Sequence, residues 1–284
     1  MRILLTGADG FTGREFIRTA AAAGHEIVEL RSNLTHAPAV AREVSSLEFD
    51  SVVHLAAISF VGHSDDRAFY DVNLFGSLNL LEALKATRRP LRKVLVSSSA
   101  NVYGNCEQAA PISEARMPAP VNHYAMSKLA MELMATARAA DLPLVLTRPF
   151  NYTGPGQAPQ FVIPKLVDHF RRRAPSVALG NLDVEREYND VRFICEAYLR
   201  LLGAQAARGT YNVCTGVTHS FSAVIGMLAA LTGHRIDVQI DPAFVRENEV
   251  RRLCGDPSRL QNAVGPLPLH RLEDTLSWML SAPQ

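Results

Sequence analysis

At 284 residues, 48% hydrophobic and 20% charged, the chain is long enough to bury a sizeable core and too apolar for the disordered or fibrous classes. Its 29 basic residues stand against 28 acidic ones, a net charge of +1, so no chain-wide field draws in DNA or RNA and no nucleic-acid partner is expected. The four cysteines, Cys106, Cys195, Cys214 and Cys254, form no CxxC and sit at no zinc-ligand spacing, so a metal centre is not expected either.

In chain order, RILLT at 2–6 reads as a buried strand, and GADGFTG then turns into a helix carrying Phe16, Ile17, Ala20 and Ala21 before Gly24 ends it. Strands follow at 26–30, 51–55, 93–97 and 144–147, with helices at 72–87 and 124–140 between them. Apolar strands interleaved with helices predict an α/β fold, a Rossmann-type doubly wound parallel sheet over residues 1–150. Beyond Pro149 the run NYTGPGQAP is dense in turn formers. Short strands are expected at 177–179, 209–213 and 235–240, and helices at 162–173, 190–202 and 222–232. Residues 151–284 therefore read as mainly a smaller C-terminal substrate-binding region, with some segments returning to the main sheet. Arg171, Arg172 and Arg173 are most simply a solvated helix end. The opening MRILLTGADG lacks the apolar core of a signal peptide and no 18-residue apolar run occurs, which predicts a cytoplasmic protein without a membrane partner.

Gly7, Gly10 and Gly13 lie between a strand and a helix, where a backbone free of side chains can approach a pyrophosphate at the helix N-terminus, with Phe11 and Thr12 inside the same turn. The second strand ends in Glu29, Leu30, Arg31 and Ser32. An acidic residue at that point receives the adenosine ribose of NAD; here Arg31 and Ser32 stand where a 2′-phosphate would be received, which favours NADP(H) while leaving NAD(H) admissible, the more so if Glu29 takes the ribose position. Leu55, Ala56 and Ala57 close the third strand and are expected at the cofactor, the small Ala56 and Ala57 letting it approach the backbone. His54, at the start of that motif on a buried strand, reads as a core histidine more readily than as a base.

Tyr124 and Lys128, four apart on a predicted helix, share a face. A free phenol ionises near pH 10, and an adjacent ammonium is expected to favour the phenolate. Ser99 ends the strand VLVSSS, so its hydroxyl is expected in the ligand crevice, fixing the reacting oxygen near Tyr124. Glycine loop, Ser99, Tyr124 and Lys128 in that order predict a nicotinamide-dependent oxidoreductase.

With RPFNYTGPGQ (148–157), FVIPK (161–165), GNLDVEREYNDV (180–191) and YNVCTG (211–216), the chain resembles the extended short-chain dehydrogenase/reductases of the nucleotide-sugar group, over nearly its whole length. The resemblance is greatest to GDP-mannose 4,6-dehydratases and GDP-4-keto-6-deoxymannose reductases, enzymes of deoxyhexose biosynthesis that serve lipopolysaccharide O-antigens. It implies a nucleotide-diphosphate sugar as partner and places Ser59, Asn101, Asn151, Lys165, Arg186, Arg246 and Glu249 on the substrate side. Lys165 and Arg186 are expected at the diphosphate. Arg246 and Glu249, in VRENEV, resemble a segment near the nucleoside. The dehydratases carry Thr/Ser-x-Glu where this chain has Ser99-Ala100-Asn101, and an amide cannot exchange the C5 proton that dehydration removes. The expectation is therefore a C4 reductase of GDP- or dTDP-linked 4-keto-6-deoxyhexoses. A 4-epimerase with tightly held NAD, a dehydratase, and a non-catalytic NADP-binding sensor or scaffold are the alternatives. The apolar faces at 72–84 and 129–137 suggest a homodimer through a four-helix seam.

Overall fold

The computed structural model describes residues 1–105, 110–139, 141–182, 184–242 and 251–283. Its first half alternates as the apolar pattern demands: β1 (Arg2–Thr6), α1 (Phe11–Ala22), β2 (Glu26–Glu29), α2 (Ala37–Ser46), β3 (Ser51–His54), α3 (Asp66–Phe69), α4 (Ser77–Ala86), β4 (Lys93–Ser97), α5 (His123–Arg138) and β5 (Leu144–Pro149). The second half comprises β6 (Tyr152–Thr153), α6 (Val162–Arg171), β7 (Ser176–Leu179), β8 (Glu185–Arg186), β9 (Asn189–Asp190), α7 (Val191–Gly203), β10 (Gly209–Val213), β11 (His219–Ser220), α8 (Phe221–Thr232), β12 (Asp237–Ile240), β13 (Arg252–Leu253), α9 (Ser258–Val264) and α10 (Leu272–Ser281). A π-helical stretch, Tyr70–Gly76, carries α3 into α4.

Six strands form one parallel sheet in the order β10-β5-β4-β3-β1-β2. Successive side chains of a strand point to opposite faces, and the core divides accordingly. Leu5, Val53, Leu95 and Val145 pack with α1 and α7 on one side; Leu4, Val52, Val94, Val96 and Leu146 pack with α2, α4 and α5 on the other. Each such aliphatic side chain, removed from water, stabilises the fold by about 1.5–3 kcal/mol. The doubly wound Rossmann-type sheet expected from the sequence is what the chain forms. The second half sends β10 and α7 back to this sheet. The buried ammonium of Lys93 closes the end of α7 by donating to the carbonyls of Ala204, Gln205 and Ala207.

The rest of the second half builds a smaller core. Ile163, Leu166, Phe170, Val224, Leu228 and Leu276, from α6, α8 and α10, pack over the parallel pair β7 and β12. The three short strands β11-β8-β13 lie beside it. The order of the main sheet reverses between β1 and β3, where Thr6 and His54 stand side by side. A ligand crevice opens at the carboxyl ends of the strands on either side of such a point.

Candidate active site

The crevice is held open by hydrogen bonds that leave His54 no catalytic role. Thr6 Oγ1 accepts the amides of Leu55 (3.2 Å) and Ala56 (3.1 Å) and meets His54 Nδ1 at 2.6 Å. His54 Nε2 lies 2.8 Å from Ser77 Oγ, whose own proton goes to the Asn73 carbonyl. These partners assign a neutral ring with its proton on Nε2, and burial, with Lys128 adding to it, pushes the His54 pKa down to about 3.

At the glycine loop, a side chain on Gly7, whose φ is +73°, would meet the Ala56 amide nitrogen at 2.7 Å, and one on Gly13 would meet the Gly7 carbonyl at 2.0 Å. The loop is thus a cradle that any Cβ would fill. The amides of the first turn of α1 have no partners within the helix, so they suit a pyrophosphate. Gly7, Gly10, Phe11, Thr12, Gly13, Leu55 and Ala57 line a cleft of about 460 Å³. A neighbouring hollow, lined by Gly7, Ala8, Asp9, Glu29, Arg31, Ser32 and Ala56, continues past the end of β2. Together they give the trough a dinucleotide needs, with Arg31 and Ser32 at its far end. Ser32 is less available than expected, since its amide donates to Glu43 at 2.7 Å and its hydroxyl bonds the same carboxylate.

At the other end stands the chemistry. Asn122 caps α5 by accepting the Ala125 amide at 2.9 Å, which aims Tyr124 and Lys128 from one buried face into the cleft. Ser99, two residues beyond the end of β4 and capping the short turn Ala100–Tyr103 rather than ending the strand as expected, hydrogen-bonds the Tyr124 phenol through its hydroxyl, and the backbone and side-chain amides of Asn101 both donate to Ser99 Oγ at 3.2 Å. Lys128 Nζ donates to the Ser97 carbonyl at 2.7 Å. The electrostatics correct one expectation: the phenolate is not favoured. Burial raises the Tyr124 pKa, with the Ser99 hydroxyl opposing it, while burial also drags Lys128 down to about 8 against the pull of Glu132. A phenol held in its neutral form is a proton donor.

Ser59, Asn101 and Asn151 all line the same cleft. Lys165 does not: its ammonium donates to the Ala178 carbonyl at 2.7 Å, inside the smaller core. Arg186 also lies outside the cleft lining, donating to the carbonyls of Glu185 and Arg251. Arg246 and Glu249, like Cys106, fall outside the described residues. The other three cysteines are buried free thiols, and no group of three metal-ligating side chains occurs among the described residues.

Several contributors carried no sequence pattern. Fully buried Asn73 accepts the Ile58 amide (2.8 Å) and donates to the Ile58 carbonyl and Ser127 Oγ (3.1 Å each), splinting the loop after β3 to α5. Tyr152 stacks on Phe11 and shares a 2.8 Å hydrogen bond with Thr12, and Arg14 joins the carbonyls of Asp9 and Gly156, so the loop after β5 is fastened to the glycine loop. Glu187 is completely buried. Its carboxylate accepts the amides of Gly255 (2.6 Å) and Thr215 (2.8 Å) and the side chain of Asn189 (3.1 Å), pinning three segments behind Asn151.

With this geometry in place, the family model for GDP-mannose 4,6 dehydratase matches residues 24–279. The chain belongs to that family. Similar relatives are a GDP-6-deoxy-D-talose 4-dehydrogenase of Aggregatibacter actinomycetemcomitans, 34% identical over 93% of this chain and 92% of its own, and a GDP-6-deoxy-D-mannose reductase of Pseudomonas aeruginosa, 35% identical over 99% and 96%. Among solved structures, RMD from Pseudomonas aeruginosa complexed with NADPH superposes with a TM-score of 0.89 at 34% identity, over 99% of this chain and 96% of that one. The family thus agrees with the resemblance read from the sequence, and a nicotinamide cofactor agrees with the trough. No helix among the described residues is long and apolar enough to cross a membrane.

Proposed function

We propose that the protein is a reductase that passes hydride from NAD(P)H to C4 of a nucleotide-linked 4-keto-6-deoxyhexose, GDP- or dTDP-linked, with NADPH the preferred donor. The observation that carries this reading is the neutral Tyr124 phenol bonded to Ser99, with an amide, Asn101, where a dehydratase holds its glutamate. When bound, the nicotinamide supplies the hydride. Ser99 fixes the C4 oxygen through its hydroxyl, Tyr124 gives that oxygen a proton as negative charge develops on it, and Lys128 holds the adjoining ribose and restores the balance of charge. Asn101 keeps Ser99 in place and has no proton to exchange at C5. Gly7, Gly10, Phe11, Thr12, Gly13, Leu55, Ala56 and Ala57 would hold the dinucleotide, and Ser59 and Asn151 the sugar. Residues 1–150 form the cofactor-binding domain in this reading and 151–284 chiefly the nucleotide-sugar side, within a cytoplasmic enzyme.

The geometry also supports a homodimer. Phe75 (54% exposed) and Leu133 (64%) stand out within the two segments expected to form the seam, and Met126 (42%) lies on α5 ahead of the second. A monomeric mass at micromolar concentration would remove that proposal. The function is tested by offering purified protein NADPH with a panel of sugars: oxidation is expected with nucleotide-linked 4-keto-6-deoxyhexoses. Dehydration of GDP-mannose by the protein alone would refute it, as would redox-neutral 4-epimerisation with retained NAD.

A further inference from the structure

The adenosine end of the trough contains a carboxylate that no sequence pattern announces. Glu43, on α2, lies behind the turn that follows β2. One carboxylate oxygen accepts the Arg31 amide at 2.9 Å and the other the Ser32 amide at 2.7 Å, and the Ser32 hydroxyl is bonded to it as well. Three donors that this turn would offer a phosphate are thereby occupied. Burial pushes the Glu43 carboxyl up, but those hydrogen bonds and the nearby Arg31 guanidinium outweigh it and hold the pKa below the usual carboxylate value, so the group is ionised at working pH.

Arg31 is itself contested. Its guanidinium is 83% exposed and meets Glu29 at 3.5 Å, and Glu29 and Asp9 line the same hollow. A 2′-phosphate entering there meets one cation and two lining carboxylates, with Glu43 a third negative charge behind the turn. A ribose hydroxyl in the same place carries no charge and feels little of this.

We infer that Glu43 is a cofactor-discriminating residue: by occupying the donors of the Arg31–Ser32 turn and adding a negative charge beside the adenosine ribose, it limits the preference for a 2′-phosphorylated cofactor. The inference rests on the proposed reading that this hollow takes the adenosine end of the dinucleotide. It predicts a modest NADPH preference in the native protein and a larger one when Glu43 loses its charge. Glu43→Gln keeps the shape and an acceptor for the turn while removing the charge.

The test uses 2′,5′-ADP and 5′-AMP, which probe the hollow without sugar or turnover, titrated by calorimetry into the full chain. Glu43→Gln is expected to tighten 2′,5′-ADP roughly three- to tenfold and to leave 5′-AMP within twofold. Glu43→Ala, which also releases the donors, is expected to move the ratio the same way. An unchanged ratio, a shift toward 5′-AMP, or equal weakening of both ligands would overturn the inference and leave Glu43 a structural support of the turn. Failure of either nucleotide to bind the native chain would instead overturn the cofactor reading itself, and this proposal with it.

Discussion

The corner of the molecule around β4 and α5 lines the cleft, the corner around β8, β11 and β13 reaches it only through Leu253, and the two are held in place by different means. The first is periodic: alternating strand residues seat Ser99 at a sheet end, and a sixteen-residue capped helix brings Tyr124 and Lys128 to one face. The second has strands of two residues each, too short to cohere alone, and relies on the buried carboxylate of Glu187 to collect donors from three segments. The contrast separates chemistry from architecture. A change in the first corner ought to abolish turnover in an intact fold, and a change in the second ought to loosen the fold and sugar binding with the proton relay preserved.

The largest effect expected is that of Tyr124→Phe. Losing the proton donor lowers kcat by about 10²–10⁴-fold, while NADPH affinity, measured by fluorescence titration, stays close to native. Unchanged turnover in Tyr124→Phe would remove Tyr124 as the proton donor; a sensor or scaffold would instead show NADPH binding without turnover in the native chain as well. Acid stability comes next. His54 is neutral in the fold down to about pH 3, whereas in the unfolded chain it takes a proton below about 6.5. Between those values the unfolded state binds more protons, so stability falls as pH drops, by roughly 4–5 kcal/mol over the full window. Denaturant titrations across that range read this slope, which is expected to flatten in His54→Asn.

For the second corner, Glu187→Ala strands several buried donors, each costing about 1–3 kcal/mol when left unpaired. A lower melting temperature and a raised KM for the sugar are expected, with kcat changed far less than in Tyr124→Phe. The smallest effect is a pH limb. Lys128, depressed to about 8, loses its proton as pH rises through that value, well before an ordinary lysine would. Activity is expected to decline above pH 8, tenfold per unit at most; a profile flat to pH 10 would separate Lys128's charge from catalysis.

The same contrast explains what the sequence made legible. The first corner and the sheet behind it were readable because period two and period 3.6 repeat over enough residues to be counted, and because the glycine loop is a steric requirement that no other residue meets. α2 escaped because it is short and begins at Ala37-Pro38, so it reads as a loop, and Glu43 went unnoticed with it. Asn73 lies in a π-helical stretch where neither period applies. The roles given to Lys165 and Arg186 rested on charge and on the resemblance of FVIPK and EREYNDV, neither of which reports where a side chain points, and both side chains donate to backbone carbonyls outside the cleft lining. The phenolate expectation failed because spacing along a helix reports proximity and says nothing of burial.

In the proposed reaction, hydride reaches the sugar's C4 as Tyr124 protonates the neighbouring oxygen. The most direct measurement supplies NADPH stereospecifically deuterated at the nicotinamide C4 together with GDP-4-keto-6-deoxymannose, and locates the label by NMR. Label from one of the two prochiral forms, at the sugar's C4 and in step with cofactor oxidation, is the predicted result; product formed without deuterium at that carbon, or without net oxidation of NADPH, would contradict it.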